Sequence, residues 1–205
     1  LNTRQYATKG YLEKLIAQVF TGRERFEPGN PQEGYSPSPQ ERQSWLQISY
    51  MKEAYHTMGP KFTLGWMAEA LYSSKNFSEN YTATMMQAGE FAPTPHSKLM
   101  YNEAFRANQY VAAGIKPIYV LNDMFQFRTE FYGFTPIFPI KKNALNKAYY
   151  GKAFSRFEYM GEVSVICHLP FGAISAYVNH YSSPRREWNV GMTIGWQLFN
   201  YRFVE

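Results

Sequence analysis

Trp188-Asn189-Val190-Gly191-Met192-Thr193-Ile194-Gly195-Trp196-Gln197-Leu198 alternates without a break. In an extended chain successive side chains point to opposite faces, so Trp188, Val190, Met192, Ile194, Trp196 and Leu198 share one face. Asn189, Gly191, Thr193, Gly195 and Gln197 share the other. One face is made for an apolar medium and the other for water or a crowded interior. Two tryptophans eight residues apart cap the apolar stripe, a separation of roughly 20 Å along a barrel axis once strand tilt is included. The aromatic girdles of outer-membrane barrels have about this spacing. Trp188 and Trp196, together with Trp66 upstream, are therefore expected on a lipid-facing girdle.

The same rule reads seven more strands. The first, Gly10 to Thr21, alternates poorly. The second, Trp45 to Thr57, sets Leu46, Ile48 and Tyr50 against Gln47, Ser49 and Glu53. The third sets Phe62, Leu64, Trp66, Ala68, Ala70 and Tyr72 against Thr63, Gly65, Glu69 and Ser73. The fourth and fifth put Val111, Ala113, Ile115, Phe125, Phe127 and Phe131 on one face, against Gly114, Lys116, Gln126, Arg128 and Glu130. In the sixth, Tyr159, Val163, Val165 and Cys167 oppose Glu158, Glu162, Ser164 and His168; in the seventh, Ile174, Ala176 and Val178 oppose Ser175, Tyr177 and Asn179. Glu69, Lys116, Arg128, Glu130, Glu158 and Glu162 thus share the polar side of successive strands, with both signs present, as a polar lumen requires. Glu158 and Glu162 are expected to pair there with Arg128 or Lys116.

Connection lengths alternate. Met58-Gly59-Pro60, Asn122-Asp123 and Pro170-Phe171-Gly172 are tight turns with suitable residues. Gly22 to Ser44, the 36 residues Ser74 to Gln109, Pro136 to Ser155 and Ser182 to Glu187 are longer. Short turns at one end and long loops at the other are the outer-membrane pattern, with the turns periplasmic. A complete small eight-stranded outer-membrane barrel, acting as a binding or adhesion module, fits the same pattern. A soluble lipocalin-like barrel with its apolar face inward is the remaining all-β alternative.

Composition narrows the function classes. No apolar run reaches the roughly 18–20 residues of a membrane-spanning helix, so any spanning is by strands. A net charge of +5 favours anionic partners, yet the basic residues are scattered and no Lys/Arg stripe with stacking aromatics marks a nucleic-acid surface. Cys167 is the single cysteine, which excludes an intrachain disulfide and a cysteine-based zinc site. There is no Gly-x-Ser-x-Gly elbow, phosphate-binding glycine loop or His-Glu-x-x-His, and His56, His96, His168 and His180 are far apart. No catalytic residue, metal site or cofactor is expected in this chain. Leu1 to Ala7 carries neither an initiator Met nor a signal segment, and the expectation is the tail of a longer exported chain.

Several stretches resemble one family: Leu1–Gly10 (LNTRQYATKG), Asn80–Met85 (NYTATM), Pro93–Lys98 (PTPHSK), Phe105–Tyr110 (FRANQY), Arg128–Tyr132 (RTEFY), Ala148–Lys152 (AYYGK) and Leu169–Gly172 (LPFG). They are similar to the C-terminal barrel of patatin-like phospholipases from Gram-negative bacteria, and the resemblance spans nearly the whole chain. It implies a patatin domain with a Ser-Asp dyad, a small linker domain and a 16-stranded barrel of the surface-antigen superfamily. The dyad would lie upstream of Leu1, so lipid acyl-ester hydrolysis would belong to the parent protein and not to this chain. The resemblance also implies a long loop folded into the lumen, with Arg106 near its Arg-Gly-aromatic tip as a lumen anchor. Here Ala107 stands where Gly is usual, and no aromatic follows directly.

The expectation for residues 1–205 is an all-β chain, an antiparallel up-and-down meander of about eight strands forming half of a 16-stranded outer-membrane barrel. Its partners would be outer-membrane lipid, the N-terminal half of its own barrel and the barrel assembly machinery, to which Phe199, Tyr201 and Phe203 would present the terminal signal. Nucleic acid is not among them.

Overall fold

The computed structural model describes residues 1, 6–24, 42–170, 172–183 and 188–196. Eight strands form one antiparallel sheet: β1 (Gly10–Arg23), β2 (Arg42–Thr57), β3 (Phe62–Ser73), β4 (Gln109–Val120), β5 (Phe125–Pro136), β6 (Glu158–Leu169), β7 (Gly172–Tyr181) and β8 (Trp188–Trp196). Each pairs with its neighbours in chain order, an up-and-down meander. Among the described residues β1 and β8 each have one partner, so the sheet has two open edges. β1, whose alternation is weak, still pairs with β2 along all 14 residues.

The register climbs across the sheet. Lys52 on β2 is paired through Ala68 of β3, Ala113 of β4 and Gly133 of β5 to Tyr159 of β6. Lys52 lies five residues from the short-turn end of its strand, whereas Tyr159 is next to the long-loop end of its own. The strands are thus staggered along the sheet, an arrangement that closed barrels share. The sheet is concave on its polar side: Arg128 of β5 donates to the Tyr55 hydroxyl of β2 at 2.8 Å across three strand spacings, about 14 Å along the sheet.

The convex face carries the apolar set. Val163, Val178, Val190, Met192 and Ile194 are exposed along it. Aromatic side chains mark both ends. Near the long loops Tyr159 stacks on His180 at 6.1 Å, and His180 meets Trp188 at a tilt at 5.0 Å. Phe62, Tyr119 and Phe125 are exposed near the short turns. Trp66 faces the same way but four residues in from the tip of β3. Trp196 pairs with Gly172, and its side chain lies outside the described residues, as do Phe199, Tyr201 and Phe203.

Two connections hold structure that strand alternation does not announce. Residues 74–108 contain α1 (Tyr81–Gln87), two short 3₁₀ turns, and a two-residue pairing of Gly89–Glu90 with Arg106–Ala107. Asn80 starts α1 by accepting from the Ala83 amide at 2.8 Å, the usual work of an N-cap. Residues 137–157 contain the hairpin Ile140–Lys142 with Ala148–Tyr150.

Candidate functional site

The inner face divides into a polar floor toward the short turns and an apolar upper part toward the long loops. Alternation along β2, β4, β5 and β6 delivers the floor. Lys116 of β4 pairs with Glu53 of β2, and Tyr55 donates to the same carboxylate at 2.5 Å. Arg128 donates from Nε to Glu130 at 2.6 Å, and from Nη2 to Tyr55 and to the Ala7 carbonyl at 2.8 and 3.2 Å. Tyr132 donates to the other oxygen of Glu130. The result is one connected network of two cations, two carboxylates and two phenols, nearly all of it buried. Two glycines make room for it. A Cβ at Gly65 would lie 2.6 Å from the Tyr55 ring, and one at Gly114 would collide with Tyr132, so each tyrosine lies flat over a neighbouring strand.

The expected pairing of Glu158 and Glu162 with Arg128 or Lys116 is corrected by this network. Both cations are taken by carboxylates nearer in the tilted register, Glu53 and Glu130. Glu158 accepts from Ser182 at 2.5 Å and lies 3.7 Å from Arg156. Glu162 is buried, and its Oε2 has no hydrogen-bond partner among the described residues. Glu69, at the upper edge of the floor, accepts from Tyr110 at 2.5 Å. All six charged residues read as lumen-facing do lie on the inner face.

Tyr6 and Ala7, just before β1, close the floor, a feature with no signal in the strand pattern. Tyr6, held at φ 54°, lays its hydroxyl 2.7 Å from Ser175 of β7 and its ring edge-on to His168. Ala7 packs with Tyr55 and Ile118. Burial pushes the Tyr6 phenol above its ordinary pKa.

The upper part is covered by the 74–108 insertion. Met67, Leu71, Tyr110, Tyr132, Phe134 and Met160 of the wall enclose Phe91 and Phe105, each 1% exposed. Phe91 stacks on Phe134 at 5.9 Å, and Phe105 meets Phe134 and Tyr181 at 5.6 and 6.0 Å. His96 reaches β7, where its Nδ1 lies 2.9 Å from both the Tyr181 hydroxyl and the Asn179 amide nitrogen. Burial holds His96 below its usual pKa. Thr94 and Ser97 bond each other and fix the turn that carries it.

Arg106 is placed at the base of the insertion. It donates to Glu90 at 2.5 Å and to the carbonyls of Met86 and Ala88 at 3.1 and 3.2 Å, under the Tyr101 ring. Each of these partners belongs to the insertion itself, so Arg106 braces the loop, while Phe91, His96 and Phe105 make the contacts with the wall. Sequence reading missed these three. The one available signal was the doubling of apolar residues on the supposedly polar face, at Met67, Leu71 and Phe134, which left an apolar surface needing cover.

Among the described residues no group of three metal-ligand side chains comes together, and no helix is long and apolar enough to cross a membrane. Neither known protein-family models nor curated proteins match this chain.

Proposed function

We propose that the chain is the membrane-spanning C-terminal half of a larger outer-membrane barrel, holding a patatin-type lipid acyl hydrolase at the membrane. The observation that carries this is the content of the inner face. An eight-stranded barrel has an interior just wide enough for its own side chains or one small ligand. This sheet holds in its concavity a polar network, Tyr6 and Ala7, and an insertion burying two phenylalanines. A wall that encloses so much belongs to a wider barrel, and the two open edges are where further strands add. Backbone groups at those edges need partners in lipid, because hydrocarbon offers none.

The convex apolar face bounded by aromatics supports a lipid environment. It is the reverse of a soluble ligand-binding barrel, whose apolar face points inward. The hydrolase assignment rests on the family resemblance of the loop and turn sequences. Sequencing the coding region upstream of Leu1 tests it. A Gly-x-Ser-x-Gly domain followed by about eight more alternating strands is the expected result. A signal peptide ending just before Leu1 would make this a free-standing small barrel and remove the hydrolase.

A further inference from the structure

The convex face is interrupted by small residues. Ala68, Ala113 and Gly133 are successive neighbours on the climbing row of β3, β4 and β5. They floor an apolar groove of about 510 Å³ walled by Trp66, Phe131 and Phe157. The groove rises with the row toward the long-loop end, where Phe157 lies over Gly133, close enough that a Cβ there would be 3.0 Å from its ring. Thr135 donates to the Arg156 carbonyl at 2.8 Å, which ties this end of the 137–157 connection to the convex side of β5.

That connection is strongly basic. It contains Lys141, Lys142, Lys147, Lys152 and Arg156 and no acidic residue. Lys147 is engaged by Glu79 at 3.8 Å and Arg156 by Glu158 at 3.7 Å. Lys141, Lys142 and Lys152 are exposed, with no carboxylate within 4.0 Å among the described residues. An apolar groove whose upper wall, Phe157, belongs to a connection with uncompensated positive charge matches a molecule with a hydrocarbon tail and an anionic head.

We propose that the groove and the basic loop together bind an anionic, phosphate-bearing membrane lipid. One acyl chain lies along Ala68, Ala113 and Gly133, and the phosphate meets the lysines of the 137–157 connection. This rests on the membrane-spanning function proposed above. The groove supplies contact with any acyl chain, and the lysines supply the preference for negative charge.

Bromine on an acyl chain quenches a tryptophan that it touches, and Trp66 walls the groove. The full-length protein, purified from its own membrane, is reconstituted into phosphatidylcholine vesicles containing dibrominated phosphatidylglycerol or dibrominated phosphatidylcholine. The Trp66 contribution is the difference from a Trp66→Phe variant. Phosphatidylglycerol is expected to quench it at about fivefold lower mole fraction than phosphatidylcholine. Substituting Lys141→Ser, Lys142→Ser and Lys152→Ser together removes that preference without changing phosphatidylcholine quenching. Ala113→Leu, which fills the groove, lowers quenching by both lipids. Equal quenching by the two lipids, or a preference that survives the triple substitution, overturns the lipid site and leaves the spanning function standing. Quenching that appears only when the protein is diluted in lipid shows a second copy over the groove and also overturns the site. No quenching of Trp66 by either lipid overturns both.

Discussion

Arg128 is where the chemistry of single residues matters most, since it is 3% exposed and joins Glu130, Tyr55 and the backbone of Ala7. Arg128→Ala leaves the Glu130 carboxylate buried without its cation, which costs about 3–5 kcal/mol. Replacing both Arg128 and Glu130 with apolar residues of similar volume costs less, because no charge is stranded. Urea unfolding of the parent protein and these two variants in one lipid or detergent checks the ordering; a double variant worse than Arg128→Ala alone would contradict it. The membership of this network was only half legible. That Lys116, Arg128 and Glu130 share a face follows from alternation, but which acid meets which base depends on strand stagger. Glu53 and Lys116 are paired although 63 positions apart, and no local pattern encodes that choice.

At the level of elements, β3 to β7 could be read from periodicity because each buries one face and exposes the other, and β8 because exposed and half-buried residues alternate along it. The insertion could not be read this way. Its order comes from contacts such as His96 with Tyr181, 85 positions away, and from an apolar upper wall that blurs the two-residue period. Its attachment has a pH sense. Burial keeps His96 below its ordinary value of 6.5, so the undocked loop takes up a proton more readily than the docked one. Docking is at full strength above 6.5 and weakens as pH falls from 6.5 through the lowered value, with no further loss below it. Hydrogen exchange across residues 91–105, corrected for its intrinsic pH dependence, is expected to speed up between about pH 8 and about pH 5. A His96→Gln variant should flatten that change; an equal change in the variant would assign it to another group.

Among the described residues the whole molecule is an open, staggered, concave sheet whose two faces differ in kind. The eight-strand meander and the alternation of short and long connections were visible in the sequence. The segment at Tyr6 and Ala7 that crosses the floor was not, since it makes its bonds with Arg128 and Ser175, more than 100 residues away. A membrane-spanning sheet, as proposed, meets lipid with its convex face and not with its concave face. Spin-label accessibility along β5, in a Cys167→Ser background and with the protein in its own membrane, distinguishes the two faces. Labels at 125, 127, 129 and 131 should collide with oxygen and be shielded from a water-soluble nickel complex, while labels at 126, 128 and 130 should be shielded from oxygen. Labels at the odd positions that are open to the nickel complex and closed to oxygen would contradict the membrane-spanning assignment.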